Sequence, residues 1–212
     1  MSNMRLKELE ITLSNLLDLD KPKPHLEQWT TPPRIAAEVL LYAYNNGDIE
    51  NKICCDFGCG NGIFSIGLAL LGAQKVVGID IDNDALRIAM NNKQALENIY
   101  GSLNVEFILA DVRSIDIRCD TLVMNPPFGV EPQTRHADRY FLRKGFESAK
   151  VIYSLHHSSK KSRRFLEKYA EEYGFQCFYI KSFNFPLRAK YWYHRKELVI
   201  IKVDFLWFVA VK

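Results

Sequence analysis

From Lys52 onward, short apolar runs alternate with helical stretches, a beat that few folds accommodate. The strand-like runs are Lys52 to Phe57, Lys75 to Ile79, Asn104 to Leu109, Thr121 to Met124 and Val151 to Leu155. Helical periodicity marks Ile63 to Leu71, Asn83 to Asn98 and Asp138 to Ser148. Such alternation predicts right-handed crossovers and a mostly parallel sheet. The pattern then changes. After a helix from Ser159 to Tyr173, the runs Phe175 to Ser182 and Glu197 to Phe208 follow each other without a helix between them, which predicts an antiparallel hairpin at one end of the sheet.

Ahead of this core, Arg5 to Leu19 reads as an amphipathic helix ended by K-P-K-P, Lys21 to Pro24. A second helix is expected from Thr31 to Asn45, with Pro32 and Pro33 in its first turn. No repeat or composition break divides the 212 residues. They read as one domain, with 1–45 a helical lid over a 46–212 core. The start carries early acids and no continuous apolar run, unlike a secretory signal. The most apolar stretch, Gly62 to Ala73, is too short for the ~20 residues that cross a bilayer. An intracellular protein of cytoplasm or nucleus, with no membrane partner, is expected. The five cysteines form no C-x-x-C pair, so buried thiols are expected and no metal. Cys54 and Cys55 should point to opposite faces of their strand.

The sharpest local feature, Asp56-Phe57-Gly58-Cys59-Gly60-Asn61-Gly62, lies between a predicted strand and a predicted helix. Glycines there let the chain turn tightly and let a ligand approach the backbone. Dinucleotide-binding turns space their glycines G-x-G-x-x-G and receive a pyrophosphate. Here an acid stands in front, which would repel pyrophosphate but suits the ammonium and sulfonium of S-adenosylmethionine. About 20 residues on, Gly78-Ile79-Asp80-Ile81-Asp82 puts Asp80 where a carboxylate accepts both ribose hydroxyls, with Asp82 capping the next helix. At the end of the third strand, Ala110-Asp111-Val112 offers a carboxylate to the cofactor's adenine amino group. Ile81 and Val112 complete this side of the site.

Asn125-Pro126-Pro127-Phe128 follows the fourth strand, on the side where parallel sheets place their ligands. An exocyclic amine is a poor nucleophile because its lone pair is delocalised into the ring. The side-chain oxygen of Asn125 and the main-chain carbonyl of Pro126 can accept its two hydrogens, which stabilises the charge developing on nitrogen. Prolines stiffen the loop, and Phe128 offers a face on which a flipped-out base stacks. With the glycine turn, these residues predict transfer of a methyl group to nitrogen in a planar amine or amide. The fold class implied is α/β, a Rossmann-like class I methyltransferase with a seven-stranded, mostly parallel sheet and a terminal antiparallel hairpin.

The chain resembles the methyltransferase-like protein 5 family, adenine N6-methyltransferases of small-subunit ribosomal RNA. The matching stretches run from R-L-K-E-L-E (Arg5 to Glu10), K-P-K and L-E-Q near Gln28, and D-I-E-N-K (Asp48 to Lys52). They continue through D-F-G-C-G-N-G, G-I-D-I-D-N-D-A-L, M-N-P-P-F-G and Y-S-L-H (Tyr153 to His156) to Tyr193-His194 and the closing V-D. The resemblance implies that Gln28 and Thr31 form a lid touching the cofactor, beside Asp56, Gly58, Asn61 and Asp80. It also implies a small zinc-binding activator subunit along the strand Asn104 to Leu109, whose apolar edge would otherwise invite aggregation. The chain departs from the family after N-P-P-F-G, where it reads V-E-P-Q-T-R-H-A-D-R-Y-F-L, and between Asn98 and Asn104, where it looks longer.

A net charge of +3 does not by itself identify a nucleic-acid partner. Basic and aromatic residues are interleaved, however, in the stretch containing Lys190, Tyr191, Trp192, His194, Arg195 and Lys196, which suits single-stranded RNA. Two more basic groups are Lys160, Lys161, Arg163, Arg164, and Arg135, His136, Arg139, Arg143, Lys144. His156 and His157 are candidates for substrate contact, with a structural role the leading reading. The competing functions are a protein glutamine methyltransferase using the same N-P-P logic, a DNA adenine methyltransferase, and a catalytically silent RNA-binding scaffold.

Overall fold

A computed structural model describes residues 5–129, 134, 136–188 and 198–211. Seven strands form one sheet: β1 (Ile53–Phe57), β2 (Lys75–Asp80), β3 (Val105–Leu109), β4 (Cys119–Met124), β5 (Ala149–His157), β6 (Phe175–Arg188) and β7 (Leu198–Ala210). Their order is β3-β2-β1-β4-β5-β7-β6. The first five are parallel, and β7 is antiparallel to both β5 and β6, so the expected terminal hairpin is present. Reversal of order at β1 and β4 opens a crevice beyond their carboxyl ends.

The helices are α1 (Leu6–Ser14), α2 (Pro33–Asn45), α3 (Ile63–Leu70), α4 (Asn83–Tyr100), α5 (Ala137–Ser148) and α6 (Lys160–Glu172). Two apolar clusters separate on the faces of the sheet. One gathers Leu9, Leu13, Leu40, Ile66 and Cys54 with Phe205; the other gathers Cys55, Leu142, Leu166 and Phe208. The adjacent cysteines thus divide between faces, as strand alternation requires. Among the described residues no helix is long and apolar enough to cross a membrane, and no group of His, Cys, Asp and Glu could hold a metal ion.

Several boundaries depart from the sequence expectation for tertiary reasons. The first helix stops at Ser14 rather than Leu19, because the backbone of Leu17 is engaged elsewhere. Its N–H donates to Asn92 Oδ1 (2.8 Å), and its carbonyl accepts from Asn61 and Asn92 (3.0 Å each). The second starts at Pro33, not Thr31, since a proline pushes its predecessor out of helical geometry and Pro32 sits at ψ 138°. The hairpin strands run on to Arg188 and Ala210, paired residue by residue from Phe175↔Ala210 to Arg188↔Leu198. The basic-aromatic segment between them lies outside the described residues.

Gly78 sits beside Asp56 in the β1–β2 register. A Cβ there would lie 2.6 Å from Ser65 Oγ and 2.7 Å from the ring of Phe107. Gly78→Ala should cost about 1–3 kcal/mol of stability through this overlap, read as a lower urea midpoint.

Candidate functional site

The site begins where β1 ends. Asp56 is 1% exposed, and its Oδ2 accepts both the N–H (2.9 Å) and the hydroxyl (2.6 Å) of Ser65 in the first turn of α3. Burial raises its pKa to about 7; the two Ser65 bonds oppose the shift and the Asp80 charge adds to it. Its Oδ1 is buried with no hydrogen-bond partner among the described residues. In the turn itself, Gly60 has φ 56°, and among the described residues nothing beyond its two chain neighbours lies within 4 Å of where its Cβ would be. Gly62 (φ 84°) opens α3, and a Cβ there would meet Ala89 and Phe107 at 3.1 Å. The first glycine leaves room for a ligand, and the second lets α3 pack closely.

At the end of β2, Asp80 accepts the N–H of Gly60 (2.8 Å) on Oδ2 and that of Asp82 (2.9 Å) on Oδ1. Each oxygen keeps a lone pair for a further donor. Its pKa is raised by burial. Asp82 caps α4 through the Asp84 N–H, as expected, and also receives Lys23 Nζ (2.5 Å) and Gln28 Nε2 (2.7 Å). Burial pushes its carboxyl up, but Lys23 and Gln28 outweigh this and hold it below the usual range. Asp111 is paired with Arg113 through Nε and Nη2, which holds its carboxyl low.

At the end of β4, Asn125 donates from Nδ2 to the hydroxyl oxygen of Thr31 (3.0 Å) and the carbonyl of Trp29 (3.3 Å). A main-chain carbonyl can only accept, so the amide orientation is determined and Oδ1 faces away from these partners. That oxygen is buried and has no partner among the described residues. Glu27, with φ 49°, accepts from the Gly129 N–H (3.1 Å) and the Thr134 hydroxyl.

These groups surround one cavity. Of the predicted cofactor residues, Gln28, Thr31, Gly58, Cys59, Gly60, Asn61, Asp80, Ile81, Asp111, Val112 and Asn125 line it, together with Pro127. Asp56 and Gly62 do not; they stand behind the turn and shape it. Pro126 is buried, and Phe128 packs edge-on against Phe185 of β6 at 5.5 Å rather than lining the cavity. Sequence reasoning missed Glu27, Trp29, Tyr140 and Phe141, which also line it. The placing of Glu27 and Trp29 between K-P-K-P and the second helix was the available signal.

Beside this cavity runs a groove lined by His136, Arg139, Arg143, Lys168, Tyr140, Phe165, Tyr169 and Glu172. Tyr140 belongs to both linings, so the two are adjacent. Arg139 lies over the Phe165 ring at 4.2 Å, and Phe165 stacks on Tyr169. Of the expected basic groups, Arg163 is drawn off into an ion pair with Asp204 (2.6 Å) and a stack on Tyr179. His156 is buried outside the cavity, with Nε2 on Ser154 Oγ (2.8 Å) and its pKa pushed down to about 3 by burial; His157 is exposed. Arg135, Lys190, Tyr191, Trp192, His194, Arg195 and Lys196 all lie outside the described residues.

Because the Asp56 pKa is higher folded than unfolded, the native state holds that proton more tightly. Its contribution to stability is fullest below about pH 4 and declines as pH rises through about 7. Asp56→Asn removes this decline. Melting temperature measured without ligand should therefore shift in the variant's favour, relative to wild type, between about pH 5 and pH 8.

Residues 36–125 match the family described as ribosomal protein L11 methyltransferase (PrmA), a stretch that ends at Asn125. The chain is 38% identical over 211 residues to an rRNA N6-adenosine-methyltransferase, METTL5, of Danio rerio, covering 97% of this chain and 99% of that one. It is also similar to the crystal structure of a candidate RNA methyltransferase from Pyrococcus horikoshii, with TM-score 0.89, 38% identity and full coverage of both chains. The fold recurs in magnesium protoporphyrin IX methyltransferase of Synechocystis, solved with S-adenosylmethionine, at TM-score 0.62 and 21% identity over 82% of this chain and 77% of that one.

Proposed function

The chain belongs to the methyltransferase-like protein 5 family, and we propose that it methylates N6 of an adenine in RNA, with small-subunit ribosomal RNA as the substrate. The observation that carries this reading is the unpartnered Asn125 Oδ1 at the cavity, beside a nitrogen whose own bonds are already made. An acceptor left without a partner there is available to an amine hydrogen and can stabilise the charge that develops on the nitrogen. The carbonyl of Pro126 takes the second hydrogen. Phe128, packed on Phe185, stiffens the loop that carries both acceptors.

S-adenosylmethionine supplies an electrophilic methyl group carried on a sulfonium. The residues present fit it: Asp80 keeps free lone pairs for two hydroxyls, Gly60 leaves the turn open, and the acids at the strand ends suit a cationic ligand. Gln28 and Thr31 close that end as parts of the N-terminal segment, Gln28 through Asp82 and Thr31 through Asn125.

The adjacent groove supports a nucleic-acid substrate, since cations interleaved with aromatic rings suit a flexible strand. Lys190, Tyr191, Trp192, His194, Arg195, Lys196 and Arg135 are assigned the same role. The family resemblance further implies a small zinc-binding activator subunit. The position of β3 at a free edge of the sheet, with Leu109 55% exposed, supports strand addition there.

Tritiated-methyl transfer to total RNA tests the reading, with wild type and Asn125→Ala side by side, with and without the activator subunit. Label should appear in adenine of small-subunit ribosomal RNA and fall about 100-fold or more in the variant. Label in protein instead would favour a glutamine methyltransferase; cofactor binding without any label would favour a silent scaffold. For the groove, Arg139→Glu and Lys168→Glu should each weaken RNA binding and reduce the slope of log affinity against log salt by about 1. An unchanged slope would remove the groove from the RNA path.

A further inference from the structure

The segment from Lys23 to Thr31 is tied to the crevice at three places. Lys23 and Gln28 hold Asp82 after β2. Thr31 and the carbonyl of Trp29 hold Asn125 after β4. Glu27 holds the loop that follows Asn125, at Gly129 and Thr134. The third tie is the unusual one. Glu27 is only 4% exposed. Its backbone is left-handed, where side-chain-bearing residues rarely sit. The main chain around it is secured, with its N–H on the Pro24 carbonyl (2.9 Å) and its own carbonyl accepting the Trp29 N–H (2.7 Å). Burying a carboxylate is costly unless it is well hydrogen-bonded. A surface tether would not need one here. A carboxylate is, however, the side chain that offers two acceptor oxygens and no donor, matching one N–H and one hydroxyl on the far side of the loop.

We propose that Glu27 is a positioning residue: its carboxylate fastens Gly129 and Thr134 against the N-terminal segment, and so sets where the amine-accepting groups of Asn125 and Pro126 stand. The stretch from Asn125 to Gly129 is thereby held at both ends by one segment, through Thr31 and Trp29 at Asn125 and through Glu27 at Gly129, with Thr134 a second hold on Glu27. Releasing the far end leaves the Asn125 anchor intact and the Phe128 contact with Phe185 as the remaining hold, so the Pro126 carbonyl between them is less closely placed. Effects on the chemical step then exceed effects on cofactor binding, because misplacement of about 1 Å is enough to cost about 100-fold in rate. This rests on the proposed transfer to adenine N6 for its kinetic arm only.

The test compares Glu27→Ala and Glu27→Gln in the full chain. Amide hydrogen exchange needs no RNA: protection at Gly129 and its neighbours should fall in the alanine variant and persist in the glutamine variant, whose oxygen still accepts from Gly129. In single-turnover transfer, Glu27→Ala should lose about 10- to 100-fold in rate while its S-adenosylmethionine Kd stays within about threefold of wild type. Glu27→Gln should recover most of that rate. The proposal is overturned if protection is unchanged in Glu27→Ala, or if its Kd weakens in step with the rate, which would make Glu27 a cofactor ligand. Altered exchange in a protein that methylates no adenine would sink the functional reading and leave the clasp standing.

Discussion

The bond from Asp56 to Ser65 decides how β1 hands the chain to α3. A buried carboxylate at the N-terminus of a helix meets amide groups that have no partner inside the helix, and the helix dipole favours its charge. Here the same oxygen also takes the Ser65 hydroxyl. Ser65 reaches Asp56 only because Gly78 on the neighbouring strand presents no side chain. With the strand end and the helix start joined, the glycine turn between them has one course, and its Gly60 amide falls to Asp80. The carboxylates of two adjacent strands therefore shape a single wall. The cost is visible in Asp56 itself, whose proton is held more tightly than usual because burial penalises the charge by more than the Ser65 bonds recover.

The electrostatics of the crevice divide into an acidic floor and a basic rim. Asp56, Asp80, Asp82 and Asp111 stand at the ends of parallel strands, where the sheet's carboxyl ends converge. Arg139, Arg143 and Lys168 lie on α5 and α6, beyond Tyr140. A cationic methyl donor and a polyanionic acceptor are attracted to different places on these terms, and Asn125 and Pro127 line the cavity on whose rim Tyr140 stands. The N-terminal segment bonds both to Asp82 after β2 and to Asn125 after β4, so the order of these two strand ends is physically joined.

Much of this was legible beforehand because its causes are local. Alternation of short apolar runs with helices marks a parallel sheet from residue spacing alone, and a pair of strands without an intervening helix marks the hairpin. Acids directly after apolar strands point to the ligand end. Non-local contacts were less visible. The first helix has the periodicity to reach Leu19, yet it ends at Ser14 because Asn61 and Asn92, far away in sequence, take the backbone of Leu17. Arg163 looked like an RNA contact within a basic run, whereas Asp204 of β7, on the sheet face that α6 covers, claims it. Phe128 is expected as a stacking face, and the non-local contact the sequence did not show is the edge-on one with Phe185, 57 residues later.

The amino-acid sequence by itself determined the class of fold, the hairpin at its end, the acid-glycine turn and the N-P-P-F loop. Each is written in neighbouring residues, through strand and helix periodicity, backbone freedom at glycine and backbone restriction at proline. Only the tertiary structure decided which acids face the cavity and which stand behind it, how the Asn125 amide is oriented, and that a buried Glu27 joins the N-terminal segment to Gly129 and Thr134. Those outcomes depend on which donors and acceptors meet once the chain is compact, and local sequence spacing carries no record of such meetings.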